Sequence, residues 1–340
     1  MQAFRSLPGD IIAWGEGDGE KVPLLSVDDG KIETQFDWEQ WKQFILLESY
    51  TRQTAPFYAR LPFHYHYVPE RVRSLALKFL LALNKNKGTQ PTDFPGHPIE
   101  QGFELLHYLY CNNGGTASWE SSVSGQIFLT HDIDTRGGFE WALKTAAREK
   151  KYGFRSLWNV VGNLYKIDYD ALDELRKDGF EIGLHGYNHD NKDAFLSEDA
   201  LRKRFDRCKP LIERYGMKSY RSPSWLRTPM LFDVLKDYIS TDFSRLDSDI
   251  LCPGGQGGCL WTKGFEYGGL LQIPSTVPYE YPLFVGYKPD QLLNFWTPKL
   301  KWLRKINGNI VVNTHPDTGY SGNQAMLDSY EQLLIYLNDN

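Results

Sequence analysis

From residue 126 onward the chain alternates short apolar runs with helical patterns, and this alternation constrains the fold more than any other feature. Apolar runs at 126–130, 154–160, 180–184, 218–220, 239–243, 270–274 and 309–313 read as strands. Helical patterns at 139–150, 169–177, 198–215, 228–238, 289–306 and 324–337 lie between and after them, and a long glycine-rich loop follows the fifth strand. Gly179 sits just past the second helix as a stop, and Ser197 stands where the third would be capped. Thr228-Pro229 is an N-cap and first-turn pair, and Pro210 should kink the third helix. Seven strands, all but the fifth followed by a helix, predict an α/β fold: a parallel sheet curled into a closed or nearly closed (β/α)7 barrel with helices outside.

In such barrels chemistry gathers at the C-terminal ends of the strands. Asp132 and Asp134 follow the first strand, His185 and His189 the third, Arg221 the fourth and His315 the seventh, with Asp242 near the end of the fifth. The candidate polar residues therefore fall on one rim, whereas chance would scatter them over both ends. Two imidazoles four apart share one face of a helical turn. With one carboxylate they leave coordination positions open, as catalytic zinc sites do. Two nearby carboxylates raise each other's pKa unless a cation intervenes. A divalent metal on one and Arg221 near the other would keep both ionised.

Residues 1–120 read differently, as an accessory α+β region packed on a barrel of residues 121–340. Residues 10–25 are glycine-rich and strand-like, 38–49, 68–83 and 99–110 are amphipathic helices, 94–98 is a turn, and 112–116 is the linker. His64 and His66 have no third ligand nearby in sequence and read as aromatic packing, and His131 should point away from its neighbour Asp132. Gly254 to Gly258 is no phosphate loop, because no Gly-Lys-Ser/Thr follows. Cys252 and Cys259, with six residues between them, are wrongly spaced for a zinc ribbon and read as free thiols rather than a small disulfide ring.

Composition narrows the partners. A net charge of −5 without a basic run argues against nucleic acid. No stretch approaches the ~18 apolar residues of a membrane span, and the first residues lack an apolar signal core, so a cytoplasmic location is the default expectation. Aromatic residues make up 14% of the chain; Trp261, Tyr279 and Tyr281, on the long loops, serve either as sugar-stacking platforms or as loop packing.

The strand-end motifs resemble the polysaccharide deacetylase family, with the NodB homology domain of carbohydrate esterase family four. The likeness runs over about residues 125–340. Thr130-His-Asp-Ile-Asp134 corresponds to the family's Thr-Phe-Asp-Asp-Gly, with one more residue between the carboxylates. His185-Gly-Tyr-Asn-His189 matches His-Ser/Thr-x-x-His, with Gly186 in place of the hydroxyl residue. Arg221-Ser-Pro-Ser-Trp225 matches Arg-x-Pro-x-Gly, with Trp225 in place of glycine. Of the fourth motif only Asp242 is recognisable, and Val312-Asn-Thr-His315 matches the fifth.

The resemblance implies a metal-dependent amide hydrolase acting on an N-acetylated sugar or glycan. It implies Asp134, His185 and His189 as ligands of Zn²⁺ or another divalent transition metal, Asp132 as general base and His315 as general acid. Arg221 would orient Asp132, and Asp242 would do the same for His315. The backbone N–H of Ser224 would hold the oxyanion, Val312 would touch the acetyl methyl, and Trp225 and Tyr187 would join the substrate-binding wall. Three alternatives stand beside this one: hydrolysis of another C–N bond such as a cyclic amide, a two-His-one-carboxylate iron oxygenase, and a catalytically idle carbohydrate-binding protein. The oxygenase is disfavoured because such sites usually pair His and carboxylate within one short motif. Asp132 and His315, which binding alone does not need, speak against the idle protein.

Overall fold

The computed structural model describes residues 123–248 and 258–340 throughout, with residue 121 and, from the N-terminal part, 11–17, 20–28, 31–34, 37, 38, 40, 46–48, 54–60 and 102–115. The helix expected at 68–83, the turn at 94–98, His64, His66 and Cys252 lie outside the described residues.

The barrel strands are β4 (Ile127–Ile133), β5 (Leu157–Val160), β6 (Glu181–Leu184), β7 (Ser219–Tyr220), β8 (Thr241–Asp242), β10 (Leu270–Gln272) and β12 (Ile310–Thr314). They pair in parallel in the order β12-β4-β5-β6-β7-β8-β10. The run 270–278 then passes from one edge to the other. It begins on β8, Ser275 bridges to Leu246, and β11 (Val277–Pro278) ends paired with β12. Thr276 N–H donates to Val311 O at 3.2 Å while Ser275 N–H donates to Arg245 O at 2.8 Å. One segment thus joins both edges and curls the sheet into the expected distorted seven-stranded barrel. The short β9 (Phe265–Tyr267), antiparallel to β10, is an addition that the sequence pattern does not announce.

Phe128, Leu157, Phe243, Ile273 and Val311 form one apolar cluster. They come from strands that are not all neighbours, so they can meet only inside the barrel. Alternation along each strand sends the next residue outward. Ile133, Trp158, Val160 and Ile182 accordingly pack with the helices α2 (Gly138–Lys151), α3 (Tyr169–Lys177), α4 (Glu198–Tyr215) and α5 (Pro229–Leu235). Leu129, Val277, Ile310 and Val312 pack with α6 (Leu292–Lys305) and α7 (Gln324–Asp339). Thr228 caps α5 as the sequence implies, whereas Ser197 stands at the α4 N-cap without a side-chain capping bond. Thr228 accepts from Leu231 N–H at 3.3 Å, and Gly216 closes α4 at φ 58°, a conformation glycine adopts without penalty. Helix α4 continues without interruption through Pro210.

In the N-terminal part, β1 (Ile11–Gly17), β2 (Glu20–Asp28) and β3 (Lys31–Thr34) form an antiparallel sheet, and α1 (Gly102–Asn112) covers the last predicted helix. Contacts tie this part to the barrel: Thr262 Oγ1 donates to Glu104 Oε1 at 2.8 Å, and Leu46 packs with Cys259 and Trp261. No helix among the described residues is long and apolar enough to cross a membrane.

Candidate metal and acid–base site

Above the apolar interior layer lies a polar one. Asp132, Asn159, Arg221, Ser275 and Asn313 are all buried and hydrogen-bonded around one carboxylate. Asp132 Oδ1 accepts from Asn159 Nδ2 at 2.8 Å and from Arg221 Nη1 at 3.1 Å, and Oδ2 accepts from Asn313 Nδ2 at 3.2 Å. Burial alone would raise the pKa of Asp132, but Arg221, His185 and His315 outweigh it and hold the carboxyl below its usual range. Arg221 is itself fixed: Nη2 donates to Ser275 Oγ at 3.0 Å and Nε to Phe243 O at 3.3 Å, and its guanidinium lies 4.8 Å from the centre of the Trp225 ring.

One turn above, Asp134 Oδ1 lies 3.3 Å from His185 Nε2 and 3.2 Å from His189 Nε2. Ligand atoms of all three residues fall within 4.8 Å of one another. His185 Nδ1 lies 2.8 Å from Arg221 O, so its N–H points at that carbonyl and the Nε2 lone pair faces Asp134. Both Asp134 Oδ1 and His185 Nε2 are buried without hydrogen-bond geometry to any described residue. Orphaned buried polar atoms are costly. An acceptor oxygen and an imidazole lone pair aimed at one point are what a divalent cation would satisfy, so the donor set fits a metal. Burial opposes ionisation of Asp134, but His189, His185 and His315 lower its pKa well below the ordinary value. The loop bends sharply to bring the imidazoles together: Gly186 has φ 69° and His189 φ 54°. Asp193 Oδ2 accepts from Tyr187 N–H at 2.9 Å, and Arg204 in turn bonds Asp190 and Asp193.

His315 completes the rim. Its Nε2 stands 3.8 Å from Asp132 Oδ2, and its Nδ1 bonds Glu280. Glu280 also accepts from His315 N–H at 3.1 Å and from Ser321 Oγ. Burial would lower the His315 pKa, but Glu280, Asp134 and Asp132 raise it to about 10. These carboxylates favour the protonated imidazole.

The structure thus brings six of the residues singled out from sequence to one place: Asp132, Asp134, His185, His189, Arg221 and His315. Four others do not take the places assigned to them. Asp242 does not reach His315. Its neighbour Phe243 points into the barrel, so Asp242 faces the other side, where it accepts from Ser244 Oγ and N–H; burial raises its pKa to about 6. Val312 faces outward into the α6–α7 core, because Val311 faces inward. Tyr187 is buried, with its hydroxyl accepting from Asn163 Nδ2 and Arg207 Nη1, away from the rim. Trp225 is buried against Arg221, with Nε1 donating to Tyr281 Oη at 2.7 Å, and offers no open face to a sugar. Tyr279, Tyr281 and Trp261 are likewise packed, not exposed platforms. Cys259 is a buried free thiol.

Two further acids at the site are absent from the sequence motifs. Glu280 holds His315, and Asp317 accepts from Asp134 N–H at 2.9 Å and Thr135 N–H at 2.7 Å, fixing the turn that carries Asp134. Asp317 lies two positions after His315, and that proximity is the one signal the sequence offers for it.

The polysaccharide deacetylase family model matches residues 124–239. Among curated proteins no sequence matches. Among solved structures, a protein of Mycobacterium smegmatis named as a polysaccharide deacetylase is similar at 18% identity and TM-score 0.52, covering 65% of this chain and 86% of its own. Puue allantoinase is similar at 12% identity and TM-score 0.52, covering 67% and 89%. A Pseudomonas aeruginosa PAO1 protein named as a polysaccharide deacetylase gives 12% identity, TM-score 0.51, and 68% and 91% coverage. Fold and motifs together define a NodB-homology barrel. Over residues 124–239 the chain is similar to the polysaccharide deacetylases, the family that carries the NodB homology domain of carbohydrate esterase family four.

Proposed function

We propose that the protein is a metal-dependent hydrolase that removes an N-acetyl group from an N-acetylated sugar or glycan. The observation that carries this reading is the convergence of Asp134, His185 and His189, with Asp134 Oδ1 and His185 Nε2 lacking hydrogen bonds, between a shielded carboxylate, Asp132, and an imidazole, His315, that bonds Glu280.

Asp134, His185 and His189 would hold Zn²⁺ or another divalent transition metal. Such an ion supplies Lewis-acid polarisation of the amide carbonyl and a lowered pKa for water. Asp132, held ionised by Arg221, takes the proton of the attacking water as general base. The C–N bond then breaks, and His315 Nε2 gives its proton to the departing amine while Glu280 holds the opposite ring nitrogen. The backbone N–H of Ser224, in a left-handed turn at φ 53°, is the proposed oxyanion donor. Residues 1–120 are proposed as an accessory region on the barrel.

Acetate release from a panel of N-acetylhexosamine oligomers and nucleotide sugars tests the activity. Asp132→Asn and His315→Ala should each retain metal and lose about 10²–10⁴-fold in turnover. Wild-type activity in both would remove the assigned roles. Hydrolysis of a cyclic amide on the same residues is the second reading. The allantoinase neighbour shares the fold as closely as the Mycobacterium protein does, so the fold does not choose between them. Ring opening of cyclic ureides without acetate release would favour it.

A further inference from the structure

Behind Arg221 lies a charged cluster that the barrel does not build alone. Glu48 belongs to the N-terminal part, outside the family match, and is buried. Its carboxylate accepts from Arg227 Nε at 2.6 Å, from Arg227 Nη2, and from Arg245 Nη1 at 2.7 Å. Both arginines are buried barrel residues, and Arg245 Nε donates to Gln272 Oε1 at 3.1 Å. From Arg227 the contacts lead to the site. Nη1 donates to Trp225 O at 2.8 Å, the Trp225 ring supports the Arg221 guanidinium at 4.8 Å, and Arg221 bonds Asp132.

Backbone strain coincides with this path. Glu48, Ser224 and Trp225 have φ of 56°, 53° and 60°, a region that side chains other than glycine rarely occupy and that persists where surrounding contacts impose it. For stability alone, an apolar group of similar volume would often serve as well as a buried ion cluster. What the ions add is direction: a forked guanidinium fixes one carbonyl of a strained loop.

We propose that Glu48 is a positioning residue for the catalytic rim. Through Arg227 and Trp225 it sets the Arg221 that holds Asp132, so the N-terminal segment completes the site. This rests on Asp132 acting as the base. The role gives the segment before the barrel a task in the reaction.

The test is a double-mutant cycle on the full chain, with Glu48→Gln, Arg221→Lys and the pair, reading metal content and the kinetics of acetate release from N-acetylhexosamine oligomers. Glu48→Gln should bind metal as the wild type does, keep KM within about twofold and lose about 10-fold in kcat. On the Arg221→Lys background the same exchange should cost less than about twofold, because the path is already cut. An unchanged kcat, or a loss that multiplies in full on that background, overturns the proposal and leaves Glu48 a residue of fold stability only. If Glu48→Gln does not fold, Glu48→Asp, which keeps the charge one methylene short, takes its place in the same cycle: a kcat loss that shrinks on the Arg221→Lys background supports the role, and an unchanged or fully multiplying kcat overturns it. A wild type that releases no acetate overturns the functional reading and this role with it; an active wild type with additive variants overturns the role alone.

Discussion

His131 and Asp132 are neighbours on β4, both fully buried, and they face opposite sides of the sheet. Outside, His131 stacks on Trp158 at 4.1 Å and bonds Thr314 at 2.7 Å and Glu149 at 2.8 Å. Glu149 is in turn bonded by Ser156 and Tyr330, both at 2.6 Å. Both ring nitrogens of His131 and both oxygens of Glu149 have partners. Inside, the polar layer around Asp132 leaves Asp134 Oδ1, His185 Nε2, Asn159 Oδ1 and Asn313 Oδ1 without hydrogen bonds. The two sides are alike in residue type and burial. They differ in satisfaction: on the outer side every polar side-chain atom of His131 and Glu149 is paired and Trp158 Nε1 is not, whereas the inner side leaves an acceptor oxygen and an imidazole nitrogen facing one another. Buried orphans occur elsewhere, Glu104 Oε2 among them. Among the described residues, a group of three metal-binding side chains converges only at the rim.

The largest expected effect tests the inner side. Asp134→Ala should abolish stoichiometric metal binding and bring acetate release to background, as read by metal analysis after gel filtration; retained metal would place the ion elsewhere. A paired exchange sharpens the contrast. Glu280→Gln should cost turnover by about 10- to 100-fold in a folded protein, since it unseats the acid. Glu149→Gln should leave turnover per folded molecule intact while lowering unfolding free energy by about 1–3 kcal/mol. Urea titration and kinetics on the same samples distinguish them, and reversed outcomes would dissolve the comparison.

The smallest effect concerns the orphan that lies away from the rim. Burial, partly offset by Lys263 and Thr262, raises the pKa of Glu104 from 4.5 to about 7. The folded chain then binds a proton that the unfolded chain releases, so this group's stabilising contribution is full below pH 4.5 and is lost as pH rises to about 7. Glu104→Gln should remove that decline from a series of urea midpoints across the window. An unaltered slope would show that Glu104 stays ionised there.

The barrel is legible in the sequence because its helices and longer strands show their periods, and a cap such as Thr228 carries chemistry. β9 and β11 have no room for a period, and neither do β7 and β8, but those two each follow a helix that marks their place. The six residues that meet at the rim are legible because strand ends in a parallel barrel converge. Val312 and Asp242 leave the site that the motifs assign them, although the correction lies in the alternation itself: inward Val311 and Phe243 leave their neighbours facing out. Glu280 and Glu48 leave no trace, because a single acid in an irregular stretch belongs to no pattern until the fold supplies its partner.

Gly186 stands where related motifs carry serine or threonine. At φ 69° it lies so close under the next loop that a Cβ there would sit 2.8 Å from Pro223 Cδ and 2.9 Å from Asp193 Oδ2. Introducing the hydroxyl residue by one exchange would push directly on the Pro223 turn that precedes Ser224. A hydroxyl side chain at this position therefore requires the Pro223 ring and the Asp193 carboxylate to give way.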